Sequence, residues 1–105
     1  MTPITDYDRK FLADLGARLK ARRILLHLSC RQLARMVGIN HVTIWRAERG
    51  RSHGTSLLTF MRLMAAMHMS PSATLPSFQP DGWSRTTLAE AFGVKPGENH
   101  RYERN

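Results

Sequence analysis

The tightest constraint in this sequence is its punctuation between Ser29 and Gly50. Ser29, with Gln32 three residues on, forms a capping box and opens a helix. Gly38 closes that helix, because glycine takes the left-handed conformation without a Cβ penalty. Ile39 bridges a tight turn, Asn40 caps a second helix, and Gly50 stops it. The chain must therefore build two short helices, about 30–37 and 41–49, joined by a glycine turn.

Helical patterns flank this pair. Thr5 and Asp8 read as a second capping box, and Phe11, Leu12, Leu15, Leu19 and Leu26 fall at helical spacing. They predict a helix over about Asp6 to Leu26. Arg18, Lys20, Arg22 and Arg23 crowd its second half, where cations complement the helix dipole. His27 falls where the helix must stop, and it tolerates the left-handed region better than most residues. A fourth helix is expected from Thr55 or Ser56 to about His68, with Leu57, Phe60, Met61, Met64 and Met67 as its apolar stripe. That methionine-rich stripe suits plain core or an adaptable dimer surface.

Charge is the second strong signal. The chain has 105 residues, enough for one compact domain with a tail and too few for a multi-domain enzyme. Its net charge is +8, and 13 of its 16 basic residues are arginine, the side chain built for bidentate phosphate and base contacts. Residues 1–69 hold 12 Lys/Arg and 4 Asp/Glu, whereas residues 70–105 hold 4 of each, so the whole excess lies in the first two thirds. Such a field points to nucleic acid, although an anionic membrane surface or an acidic protein would also answer it. Between Arg18 and Arg62 the single acid is Glu48, which suggests a structural partner.

Other classes recede. One cysteine, Cys30, leaves no disulfide framework or cysteine zinc cluster and fits a reducing compartment. No signal peptide or spanning segment is expected, which makes the cytoplasm the default location. The five histidines are scattered without metal-ligand spacing or an acid–base partner, so no catalytic residue, cofactor or metal is expected.

Residues 70–83, rich in proline and serine, read as a linker with no helical or strand period. Residues 84–105 read as a short helix and tail. Trp83 and Leu88 frame an N-cap at Ser84, and the helix spans about 85–92 and ends at Gly93. Trp83 and Phe92 would anchor this piece in packing, dimerisation or partner binding. Leu33–Gly50 and Leu88–Asn105 also share a faint 18-residue echo; a degenerate second copy of the motif is a minor alternative, since Pro96-Gly97 falls where its recognition helix would begin.

The two punctuated helices make a helix-turn-helix. Leu33-Ala34, Val37-Gly38-Ile39, Thr43-Ile44 and Glu48-Arg49-Gly50, with Leu15-Gly16-Ala17-Arg18-Leu19 and Arg22-Arg23 upstream, resemble the Xre/Cro family, the phage-repressor type of this motif. The resemblance spans about residues 11–68. It implies an all-α, lambda-repressor-like bundle of four to five helices with an irregular C-terminal extension, in which residues 1–69 are the DNA-binding domain. It further implies that Arg23 pairs with Glu48, and that His41, Val42 and Arg46 stand at base-reading positions. Arg46 would suit guanine O6/N7 and Val42 a thymine methyl. Thr43 would bind phosphate, with Arg31, Arg35, Arg49, Arg51 and His53 as further phosphate candidates.

Two residues depart from the family pattern. Trp45 stands where a small or polar residue is usual, on the groove side, with three readings open: stacking on sugars, touching a thymine methyl, or packing on His41. Cys30 stands where the family often has a phosphate-binding glutamine; its backbone N–H can still serve, and a redox-sensing thiol is a minor alternative. The leading expectation is a sequence-specific DNA-binding transcriptional regulator, a homodimeric repressor reading an inverted repeat of double-stranded DNA. The alternative is an antitoxin-type protein that binds a protein partner through residues 70–105 and represses its own operon.

Overall fold

The computed structural model describes residues 4–76, and among these residues the only regular structure is helical. Five helices follow in order: α1 (Asp6–Leu25), α2 (Cys30–Val37), α3 (His41–Glu48), α4 (Leu57–Ala66) and α5 (Pro71–Thr74). The cap residues set these boundaries. The Thr5 hydroxyl accepts from the Asp8 N–H while the Asp8 carboxylate accepts from the Thr5 N–H, the reciprocal pattern of a capping box. Ser29 and Gln32 repeat it at α2, with Ser29 N–H donating to Gln32 Oε1 at 2.7 Å. Asn40 Oδ1 accepts from Val42 N–H at 2.8 Å, and Ser56 Oγ from Thr59 N–H at 3.2 Å.

The stops follow the same logic. Gly38 ends α2 at φ +78°. His27 and His68 end α1 and α4 at φ +55° and +54°, in the left-handed region. After each, the chain closes with matching bonds: His27 N–H to Ile24 O and Leu28 N–H to Arg23 O, then His68 N–H to Ala65 O and Met69 N–H to Met64 O.

The core gathers Leu15 and Leu19 of α1, Leu33 and Ala34 of α2, Ile44 and Ala47 of α3, and Phe60, Leu63 and Met64 of α4, closed by Met67. Gly16 makes the α1–α3 contact possible. A Cβ there would collide with the Ala47 carbonyl oxygen and lie 2.9 Å from the Glu48 carbonyl, so no side chain fits between the two helices. The apolar stripes are narrower than the sequence suggests. Leu26 lies beyond the end of α1 and is exposed, as are Leu57 and Met61 of α4, while Phe60, Leu63, Met64 and Met67 are buried.

The segment read as a linker begins differently. Pro71 opens a single helical turn, where its missing N–H costs nothing. The turn is fastened rather than free: Thr74 is buried, its hydroxyl donates to Ser70 O, and Arg18 of α1 donates to the Thr74 and Leu75 carbonyls at 3.1 and 3.2 Å. The remainder of the expected linker, the helix over 85–92 with Trp83 and Phe92, and the 88–105 echo lie outside the described residues.

Candidate nucleic-acid interface

Helix α3 has two faces. Ile44, Ala47 and Glu48 are buried against α1 and α2, while Val42, Trp45, Arg46 and Arg49 are exposed. His41 and Thr43 lie half-buried at the edges between them. The 3.6-residue period produces this division directly, because 44, 47 and 48 share one side of an eight-residue helix.

The buried face is locked by an ion pair. Arg23 Nε donates to Glu48 Oε2 at 2.6 Å and Nη2 to Oε1 at 2.9 Å, a bidentate fork. The two side chains are only 13% and 3% exposed. Arg23 Nη1 also donates to Leu28 O at 2.7 Å, so one guanidinium ties α3 to the turn between α1 and α2. Hydrogen bonding to Glu48 raises the Arg23 pKa above its ordinary value, against the opposing effect of burial. Cys30 packs beside this pair, its Sγ 4.0 Å from Glu48 Oε1. The thiol at the start of α2 therefore faces a carboxylate.

The exposed face stands between two open clefts. On the α2 side, Arg31, Ala34, Arg35, Ile39, Asn40 and His41 line a cleft of about 570 Å³. On the other side, Thr43, Trp45, Arg46, Arg51 and His53 line one of about 690 Å³, completed by Gly54, Thr55, Ser56 and Thr59. Each cleft thus has a basic wall. Arg31, Arg35, Arg46 and Arg51 are all exposed, and their side chains make no hydrogen bond or ion pair among the described residues. Arg49 differs: its guanidinium lies 3.9 Å from the centroid of the Trp45 ring, and its Nη1 donates to Trp45 O at 3.2 Å.

The structure thus brings His41, Val42, Trp45 and Arg46 to one helix face, with Arg31 and Arg35 on one flank and Arg51 and His53 on the other. Sequence reasoning missed what Arg18 and Arg22 do. Besides the Arg18 bonds to α5, Arg22 Nε donates to Met67 O at 2.9 Å. Their spacing of four residues put them on one side of α1, but the carbonyls they meet lie 45 to 57 positions away. Among the described residues, no group of three or more His, Cys, Asp or Glu is placed to hold a metal ion, and no helix is long and apolar enough to cross a membrane.

No family model and no curated protein matches the sequence. Among solved structures, the chain is similar to the restriction-modification controller protein C.AhdI from Aeromonas hydrophila. That match has a TM-score of 0.56 and 28% identity, and covers 61% of this chain and 96% of that one. The likeness takes in nearly all of the neighbour, an independent match for the helical architecture built above. With its glycine-turned α2–α3 pair and its arginine–glutamate lock, the chain has a helix-turn-helix bundle, and this structural match agrees with its resemblance to the Xre/Cro-like family.

Proposed function

We propose that this chain is a sequence-specific DNA-binding transcriptional regulator that lays α3 in the major groove. One observation carries the reading: α3 presents Val42, Trp45 and Arg46 as a ridge between two clefts, walled by Arg31 and Arg35 on one side and Arg51 and His53 on the other. A major groove is bounded by two phosphate backbones and floored by base edges, and it admits one α-helix. The ridge meets the floor and each basic wall meets a backbone. The likeness to a restriction-modification controller protein supports a regulatory role.

In this arrangement Arg46 donates to guanine O6/N7, Val42 meets a thymine methyl and His41 meets a base edge. Thr43, Arg31, Arg35, Arg51 and His53 hold phosphates and set the register. The protein acts as a homodimer in the cytoplasm, on half-sites about 34–36 Å apart. Leu57, Leu58 and Met61 remain exposed along one side of α4 and supply an apolar surface for a second copy. We assign it no catalytic role. The antitoxin reading rests on residues 70–105, which lie mostly outside the described residues, and no observation favours it.

The test is binding to the DNA upstream of its own coding sequence against a scrambled duplex, read by fluorescence polarisation. A preference of about 10³-fold or more is expected of a specific regulator. Equal, weak binding to both duplexes would contradict the reading.

A further inference from the structure

The sequence leaves three roles open for Trp45, and the structure narrows them. The indole is 41% exposed on the outer face of α3. Its stacking partner is Arg49, one turn on, whose guanidinium lies over the ring while an N–H of the same group donates to the Trp45 carbonyl. A side chain held at both points has little freedom. The guanidinium covers one face of the ring, and Trp45 nonetheless remains exposed to solvent. Arg49 thus behaves unlike Arg31, Arg35, Arg46 and Arg51, whose side chains make no hydrogen bond or ion pair within the described residues. Its charge sits on the indole as a cation–π contact.

Resting on the reading of α3 as the groove helix, we propose that Trp45 is a reader of the C5-methyl group of a pyrimidine, and that Arg49 is its positioning residue. The apolar feature that a base pair offers on the major-groove floor is the C5-methyl group. A flat apolar surface held on the outer side of the helix matches that group and little else there. Val42, 38% exposed and one turn before Arg46, widens the same apolar strip. Arg46, next in sequence to Trp45, supplies the polar contact to a neighbouring guanine. The surface therefore recognises a methylated pyrimidine beside a guanine. Two bases carry that methyl: thymine, and cytosine methylated at C5.

The experiment uses the full chain and the duplex it selects from random DNA. Each thymine of the site is replaced in turn by deoxyuridine, which removes only the methyl group. Each cytosine is replaced in turn by 5-methylcytosine, which adds only that group. Affinities are measured for the wild type, W45A and R49K. At one position, removing or adding the methyl is expected to change wild-type affinity about fourfold, the factor for burying one such group. A deoxyuridine effect identifies thymine as the source, and a 5-methylcytosine effect identifies the modified base.

W45A is expected to bind the selected site more weakly and to lose the methyl effect, its affinities for the methylated and unmethylated forms becoming equal. R49K keeps the charge but not the planar stack, so it should weaken the methyl effect and leave the salt dependence of binding unchanged. Identical wild-type affinities for all methylated and unmethylated forms would overturn the proposal, as would an undiminished methyl effect in W45A. A full methyl effect in R49K would overturn the role of Arg49. No preference for any selected duplex over scrambled DNA would overturn the groove reading itself, and this inference with it.

Discussion

Arginines do two different jobs in this molecule, and they are sorted by region. On α1, Arg18, Arg22 and Arg23 turn into the fold, reaching the carbonyls of Thr74, Leu75, Met67 and Leu28 and the carboxylate of Glu48. On α2, α3 and the following loop, Arg31, Arg35, Arg46 and Arg51 are exposed, and their side chains are unbonded among the described residues. What differs is what lies opposite. The α1 row faces spare carbonyl oxygens where α4 and α5 end, and such oxygens attract cations. The second set meets no acceptor of the protein. Its donors match the oxygens of phosphates and guanines, and the clefts beside α3 are where such groups fit.

The first way to break this comparison is to remove the acceptor that anchors the inward set. Glu48→Ala leaves the Arg23 guanidinium buried without its carboxylate, and it is expected to cost about 3–5 kcal/mol of stability. The urea unfolding midpoint measures this; an unchanged midpoint would refute the structural role of the pair. Because pairing raises the Arg23 pKa, the arginine's contribution to this pair is fully present below its unfolded-state pKa. It would be lost only as pH rises through the still higher folded value. Over neutral pH, therefore, the loss in Glu48→Ala should not depend on Arg23 titration.

A smaller effect sharpens the other side. Arg46→Ala is expected to reduce discrimination between specific and scrambled DNA by about 1–3 kcal/mol, a factor of roughly 5 to 150, with the unfolding midpoint unchanged. Loss of stability instead of specificity would move Arg46 into the inward set.

The smallest effect serves as a control touching neither set. His27→Gly and His68→Gly each place glycine where the backbone already sits at φ near +55°. Each is expected to raise stability by about 1 kcal/mol or less, since relief of left-handed strain is partly offset by glycine's greater unfolded-state freedom. DNA binding should not change.

Much of this was legible in the sequence because its causes are local. Thr5, Ser29, Asn40 and Ser56 announce helix starts through bonds that reach only two or three residues. Gly38 and His27 announce ends through their own backbone preferences. The partner of Arg23 came from family resemblance, which prompted the pairing across 25 positions that the structure contains. The α5 turn was not legible, since four residues are too few for a period and its anchor, Arg18, lies far upstream. Nor was the attachment of Arg49 to Trp45. Their spacing of four permits it, but an arginine at the end of a basic helix equally suits a phosphate, and only the placement of the ring separates the two.

The division of the arginines is tested most directly by the salt dependence of DNA binding. Removing one arginine from a phosphate lowers the slope of log affinity against log salt concentration by about 0.9. Replacing Arg31, Arg35 and Arg51 together by alanine is therefore expected to flatten the slope by about 2.7 while the unfolding midpoint holds. Arg18→Ala is expected to leave the slope as it was. Equal flattening in both, or none in the triple variant, would contradict the division.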